Sequence, residues 1–217
     1  MNCYFGSSPI LVNLPNGKRA LIAGQKSGAV YALDPDKNGA TIWKTQLGKG
    51  GPVGGVQWGP AVDHERAYVA ISDAKVAFAP NAKTGMGTSL DPKVGGGLFA
   101  LRLTDGEKIW YTKPPECGDR SPCSPAQSQA VSMIPGVVFS GSQDGHFRAF
   151  SAKDGKMIWD FDTFREFPTV NHVAARGGAI DGPGATIVDG IVYVNSGYAF
   201  TGGMGGNVLL AFSIDGK

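Results

Sequence analysis

A chain of 217 residues that is 42% hydrophobic can bury a sizeable core, and its 33 glycines, 14 prolines and 10% aromatics describe short strands joined by turns, not a disordered or collagen-like polymer. Twenty basic residues against 18 acidic ones leave a formal net charge of +2, so there is no electrostatic footprint for nucleic acid or an anionic membrane surface. No stretch approaches the roughly 20 apolar residues of a membrane-spanning helix.

Along the chain, the start MNCYFGSSPILVNL has neither a basic n-region nor a small-residue cleavage site. A removed leader or a missing upstream portion would look the same. The first predicted hairpin pairs a strand at Ala20 to Gly24 with one entering ALDPDKNGATIW, Ala32 to Trp43, across the turn GQKSG at Gly24 to Gly28. A second strand pair begins at Ala67 to Ser72 and ends in ALRLTDGEKIW, Ala100 to Trp110, but its turn is replaced by an insertion between Ser72 and Gly97. The third repeats the compact form: Val137 to Gly141, the turn GSQDG at Gly141 to Gly145, then AFSAKDGKMIW, Ala149 to Trp159. The fourth has Ile191 to Asn195, an insertion from Ser196 to Gly206, and AFSIDGK, Ala211 to Lys217, which stops before a tryptophan.

Self-similarity at this period is the mark of a repeat architecture, and the spacing from Trp43 to Trp110 to Trp159 fits one four-stranded blade plus its connections. With a side-chain period of two, Val30, Leu98, Phe147 and Leu209 share a strand face with the repeat alanines Ala32, Ala100, Ala149 and Ala211. Tyr31 with Leu33, Phe99 with Leu101, Arg148 with Phe150, and Leu210 with Phe212 take the opposite face. Strands that are mostly apolar on both faces lie between two neighbouring layers. The expectation is an all-β fold, a single partial β-propeller domain over residues 1–217 with about four antiparallel four-stranded blades. The tryptophans that end the repeats are expected to dock one blade on the next. An arc left open would expose strand edges and apolar blade faces, and so favour self-association.

Chemistry-bearing residues are few. Cys117 and Cys123 bracket CGDRSPC, a spacing open to a disulfide in an oxidising compartment or to two free thiols; Cys3 stands apart. A lone pair of thiols falls short of the four ligands zinc normally takes. Asp63, His64 and Glu65 read as a hairpin turn. Asn171, His172 and Arg176 sit on a loop between blades, either at the surface or facing a central cavity. The cluster GGMGG, Gly202 to Gly206, leads into a strand and is no phosphate cradle.

The phrase A-x-D-x-x-T-G-x-x-x-W resembles the blade signature of quinoprotein dehydrogenases, which use pyrroloquinoline quinone. Here Asp34 keeps the early acid and Thr104 the threonine, while Arg102, Ser151 and Ser213 depart from the pattern. Gly6 to Pro35, GGVQWGPAV at Gly54 to Val62, Gly136 to Phe150 and Asp181 to Ala199 together look like the C-terminal half of bacterial quinoprotein alcohol dehydrogenases, nearest to the polyvinyl-alcohol type. The resemblance implies the last four blades of an eight-bladed parent that passes hydride from an alcohol to the quinone. It also implies calcium bound mostly by the other half, a cytochrome c as possible electron acceptor, and a periplasmic or secreted location. Lys26 stands where the family sets a basic residue against the quinone oxygens, though a solvent-facing turn lysine is the alternative. Gln57 and Trp58 resemble the family's polar-residue-plus-tryptophan step in the cofactor pocket, with Gln replacing the more usual Asn. On this reading the cofactor-binding candidates are Lys26, Gln57, Trp58, Asn171 and Arg176, with the catalytic base unassigned. The competing expectation is a non-catalytic propeller that serves as a protein-binding scaffold.

Overall fold

The computed structural model describes residues 4–79, 88–198 and 202–215. Cys3, the middle of the first insertion, Ala199 and the last two residues of the fourth repeat lie outside the described residues. Four antiparallel sheets follow one another along the chain. The first joins β1 (Ile10–Asn13), β2 (Arg19–Gly24), β3 (Ala29–Asp34) and β4 (Ala40–Gln46) in sequence order. The second joins β5 (Ala61–Val62) and β6 (Arg66–Ile71), inserts the two-stranded ribbon β7 (Val76–Phe78) and β8 (Thr88–Leu90), then continues with β9 (Gly97–Arg102) and β10 (Lys108–Thr112).

A short lead-in strand, β11 (Ser128–Gln129), precedes the third sheet, which comprises β12 (Ser132–Ile134), β13 (Val137–Gly141), β14 (His146–Ser151) and β15 (Met157–Asp162). A small hairpin, β16 (Glu166–Phe167) and β17 (Ala175–Arg176), and a second lead-in, β18 (Asp181–Gly182), come before the fourth sheet. That sheet has three strands among the described residues, β19 (Thr186–Val188), β20 (Ile191–Ser196) and β21 (Val208–Ser213). These are the blades expected from the repeat, and the hairpins pair as the turns require, with Gly28 and Gly145 at φ +83° and +82°.

Period-two patterning explains the stacking. Val30, Ala32 and Trp43 of the first blade pack against Ala67, Val69, Ile71, Phe99 and Leu101 of the second. Leu98 and Ala100 meet Val138 and Phe150 of the third, and Phe147 meets Val194, Leu210 and Phe212 of the fourth. The repeat-alanine face of one blade thus always meets the opposite face of the next.

Trp43 and Trp110 each form a joint with a glycine of the following repeat. The Trp43 indole N–H donates to the Leu103 carbonyl at 2.8 Å, and a Cβ on Gly106 would stand 2.5 Å from the Trp43 ring. Trp110 donates to the Ala152 carbonyl at 3.0 Å, with Gly155 against its ring in the same way. Thr45 and Thr112 hydroxyls bond the carbonyls of those two glycines. The glycine of the motif is therefore required by the tryptophan of the preceding blade as well as by its own left-handed turn (φ +73° at Gly106, +72° at Gly155). Gly39, the counterpart in the first blade, has no atom of the described residues within 4 Å of where a Cβ would sit.

One expectation needs correction. The fourth repeat's Leu209 is 62% exposed and Ala211 is also exposed, because among the described residues no further sheet covers that face. The face shared by Arg148 and Phe150, expected to be mostly apolar, also carries a buried charge. Arg148 is only 2% exposed, and its guanidinium bonds Asp144 at 2.7 Å and the Ser142 hydroxyl at 2.8 Å. The ion pair with buried Asp144 supplies the partner a buried charge needs.

Candidate functional site at the centre of the arc

The segments leading into the blades are drawn together by main-chain bonds. Val131 N–H donates to the Gly59 carbonyl, Ala130 N–H to the Gly182 carbonyl, and β11 pairs in parallel with β18, Ser128 opposite Asp181. Gly6, which leads into the first blade, lies so close to Gln57 that a Cβ would stand 2.2 Å from the Gln57 carbonyl oxygen. Residues distant in sequence therefore share one small region.

At its heart the Trp58 indole N–H donates to Asp181 Oδ1 at 2.7 Å. The same oxygen accepts the Gly182 N–H at 2.8 Å, and Asp181 Oδ2 accepts Gln143 Nε2 at 2.8 Å. Asp181 is 7% exposed and Gln143 1%, whereas Trp58 keeps 36% of its surface open. Burial pushes the Asp181 carboxyl above the usual carboxylate range, against the opposing pull of Trp58, Gly182 and Gln143 and of the nearby Lys26 charge.

Lys26 is presented by the β2–β3 turn. Its N–H donates to the Tyr4 carbonyl, its carbonyl accepts from Gly51, and its ammonium donates to the Pro52 carbonyl at 3.0 Å. Setting GQKSG beside GSQDG places Lys26 and Gln143 at the same turn position of the first and third blades. Both act on Asp181, Gln143 through a hydrogen bond and Lys26 through its charge.

Next to Trp58, the Gln57 side-chain Oε1 is buried with no hydrogen-bond partner among the described residues. A cavity of about 720 Å³ opens beside the Lys26 turn, lined by Lys49, Gly50, Pro52, Val53, Asp73, Val76 and Val94, among others. The two insertions meet here as well. A Cβ on Gly202 would lie 3.1 Å from the Thr88 carbonyl oxygen, and one on Gly203 would lie 2.5 Å from Gln143 Oε1.

Of the expected residues, Lys26, Gln57 and Trp58 come together and Asn171 and Arg176 stay apart. Asn171 is exposed on the loop between β16 and β17, where its Oδ1 accepts the Val173 N–H. Arg176 is exposed in β17, its guanidinium 5.1 Å from the Phe164 ring centre and its N–H bonded to Asn207. Asp63 forms its turn as expected, accepting the N–H groups of Glu65 and Arg66. Cys117 and Cys123 are joined by a disulfide with Cα atoms 6.0 Å apart. Asp181 and Gln143 were not among the candidates, although the alignment of the two compact turns already pairs Gln143 with Lys26. Among the described residues no three His, Cys, Asp or Glu side chains converge as metal ligands, and no helix is long and apolar enough to cross a membrane.

Blades docked by tryptophan and glycine, with polar lead-ins gathered at their centre, define a β-propeller of the quinoprotein type. The chain belongs to the family described as "Outer membrane protein assembly factor BamB", whose profile matches residues 26–217. It is 45% identical over 230 residues to a polyvinylalcohol dehydrogenase of Pseudomonas sp., an alignment covering 98% of this chain and 33% of the relative. A polyvinylalcohol dehydrogenase of Sphingopyxis sp. (strain 113P3) is 42% identical over 226 residues, with 98% and 33% covered. The quinohemoprotein alcohol dehydrogenase from Comamonas testosteroni shares the fold at a TM-score of 0.61 and 15% identity, over 99% of this chain and 34% of that one. The chain spans about a third of the length of these relatives.

Proposed function

We propose that this chain is part of a quinoprotein alcohol dehydrogenase that oxidises polyvinyl alcohol or a similar secondary alcohol, and that it contributes one wall of the cofactor pocket. The observation that carries this reading is the convergence of Lys26, Gln57 and Trp58 at the centre of the arc, in a chain 45% identical to a polyvinylalcohol dehydrogenase. Pyrroloquinoline quinone, when bound, supplies the acceptor for the hydride that leaves the alcohol carbon.

The residues fit such a group in kind. The Lys26 ammonium, held at the Pro52 carbonyl, offers positive charge where negative charge develops on a quinone oxygen. The Trp58 indole offers a flat apolar face with its N–H already committed to Asp181. Gln57 Oε1 is a buried acceptor awaiting a donor. Asn171 and Arg176, exposed on their hairpin, are left outside this wall. Calcium, the base that receives the hydroxyl proton and the docking face for a c-type cytochrome are assigned to the remainder of the longer protein. The Cys117–Cys123 disulfide supports a periplasmic or secreted location, where such bonds persist.

The test is a titration of the purified chain with pyrroloquinoline quinone, followed by quenching of tryptophan fluorescence. Saturable quenching is expected, with Lys26→Ala weakening affinity about 10-fold or more, in keeping with the loss of a charge-assisted hydrogen bond. Quenching that is absent, or indifferent to Lys26, would return the chain to the scaffold reading.

A further inference from the structure

The geometry points to Asp181 as a positioning residue for Trp58, an inference that rests on the reading of Trp58 as a wall of the pocket. Three observations converge on it. First, both carboxylate oxygens are committed: Oδ1 to the Trp58 and Gly182 N–H groups, Oδ2 to Gln143. Second, every one of those donors is neutral, and Lys26 acts only through its charge, so among the described residues no ion pair repays the burial of this carboxylate as Arg148 does for Asp144. Third, Trp43 and Trp110 bond main-chain carbonyls, which any sequence supplies, whereas Trp58 bonds a side chain.

The arrangement has a definite physical effect. An indole with 36% of its surface open is held only in part by packing, so its N–H bond helps set the plane of the Trp58 ring. Asp181 holds that bond from across the arc and is itself held by Gln143, which is fully buried. Gln143 occupies in the third blade the turn position that Lys26 occupies in the first. Trp58, through its N–H bond, and Lys26, through its charge, are thus both tied to one carboxylate that need not touch any ligand.

Two measurements on the 217-residue chain test this. In the spectrum of ¹⁵N-labelled indoles without ligand, the Trp58 signal is assigned by its loss in Trp58→Phe. Asp181→Ala is expected to move that signal upfield and to leave those of Trp43 and Trp110 in place. In titrations with pyrroloquinoline quinone, Trp58→Ala and Asp181→Ala are each expected to weaken affinity about 10-fold, and the double variant no more than either alone. If Asp181→Ala leaves the Trp58 signal and the affinity unchanged while Trp58→Ala weakens binding, the positioning role is overturned. If Trp58→Ala itself leaves affinity unchanged, the pocket reading of Trp58 fails, and the indole spectrum still decides whether Asp181 holds the ring. Should Asp181→Ala fail to fold, Asp181→Asn serves in its place. It keeps an acceptor for the indole but not the charge, so a smaller signal shift and intermediate affinity are expected, and no change in either overturns the inference.

Discussion

Tryptophan does two different jobs in this molecule. At the blade junctions Trp43 and Trp110 lie over a neighbouring glycine and donate to backbone carbonyls, a joint that is repeated and indifferent to the side chains around it. At the centre of the arc Trp58 is partly open and donates to a buried carboxylate. The difference separates a packing device from a recognition device: the first takes its energy from buried area, the second makes one ring orientation depend on one other residue.

Several experiments would break or sharpen that contrast. The largest effect is expected from Trp43→Ala, which removes a 7%-exposed indole from the first core cluster and should cost about 3–5 kcal/mol of unfolding free energy in urea. Trp58→Ala, at an open ring, should cost no more than about 1–2 kcal/mol. Comparable losses at the two sites would erase the distinction.

Next, Gly106→Ala drives a Cβ into the Trp43 ring at a left-handed backbone position, whereas Gly39→Ala meets the same backbone strain with open space around it. Gly106→Ala should therefore be the more destabilising of the two, by about 1–3 kcal/mol. Equal thermal shifts would mean that the glycine serves only its own turn.

The smallest effect is expected in acid, and its sign differs between two carboxylates. Burial works against it, but the Arg120 guanidinium and the Phe164 N–H hold the Asp162 carboxyl below its ordinary value of 3.8. Its contribution is present above that value and is lost as pH falls through the folded-state pKa. Asp181 is raised above 3.8 by burial, so its contribution is complete below that value and fades as pH rises through the folded-state pKa. In stability-versus-pH curves, Asp162→Asn should remove an acid-side loss, and Asp181→Asn should remove a decline on the way to neutral pH. A common direction for both would contradict the assigned environments.

Much of the fold was legible because it is periodic. The Ala-to-Trp unit states strand, turn and strand, and two-sided apolar strands state that blades stack. Arg148 was legible as a charge on a mostly apolar face, but period-two logic does not ask whether such a charge has a partner; Asp144, four residues earlier in the turn, is that partner. The central site was only half legible. Lys26, Gln57 and Trp58 stand out by motif, but Asp181 sits in AIDGPGA, where nothing local distinguishes it from a turn acid. Its meaning comes from the pairing of β11 with β18, which sequence periodicity cannot supply. Asn171 and Arg176 drew attention as polar residues on a loop, and the hairpin instead turns them to solvent.

The Trp58–Asp181 bond joins residues 123 positions apart, whereas the blades pair strands that are neighbours in the chain, except for β6 and β9, which flank the β7–β8 ribbon. Closing so long a loop carries a large entropic cost that local hairpins avoid, so hairpins and blades should form before this contact does. The pocket wall is then the last part of the chain to assemble. Slow recovery of the Trp58 indole signal after dilution from denaturant would mark the moment at which folding becomes the capacity to bind.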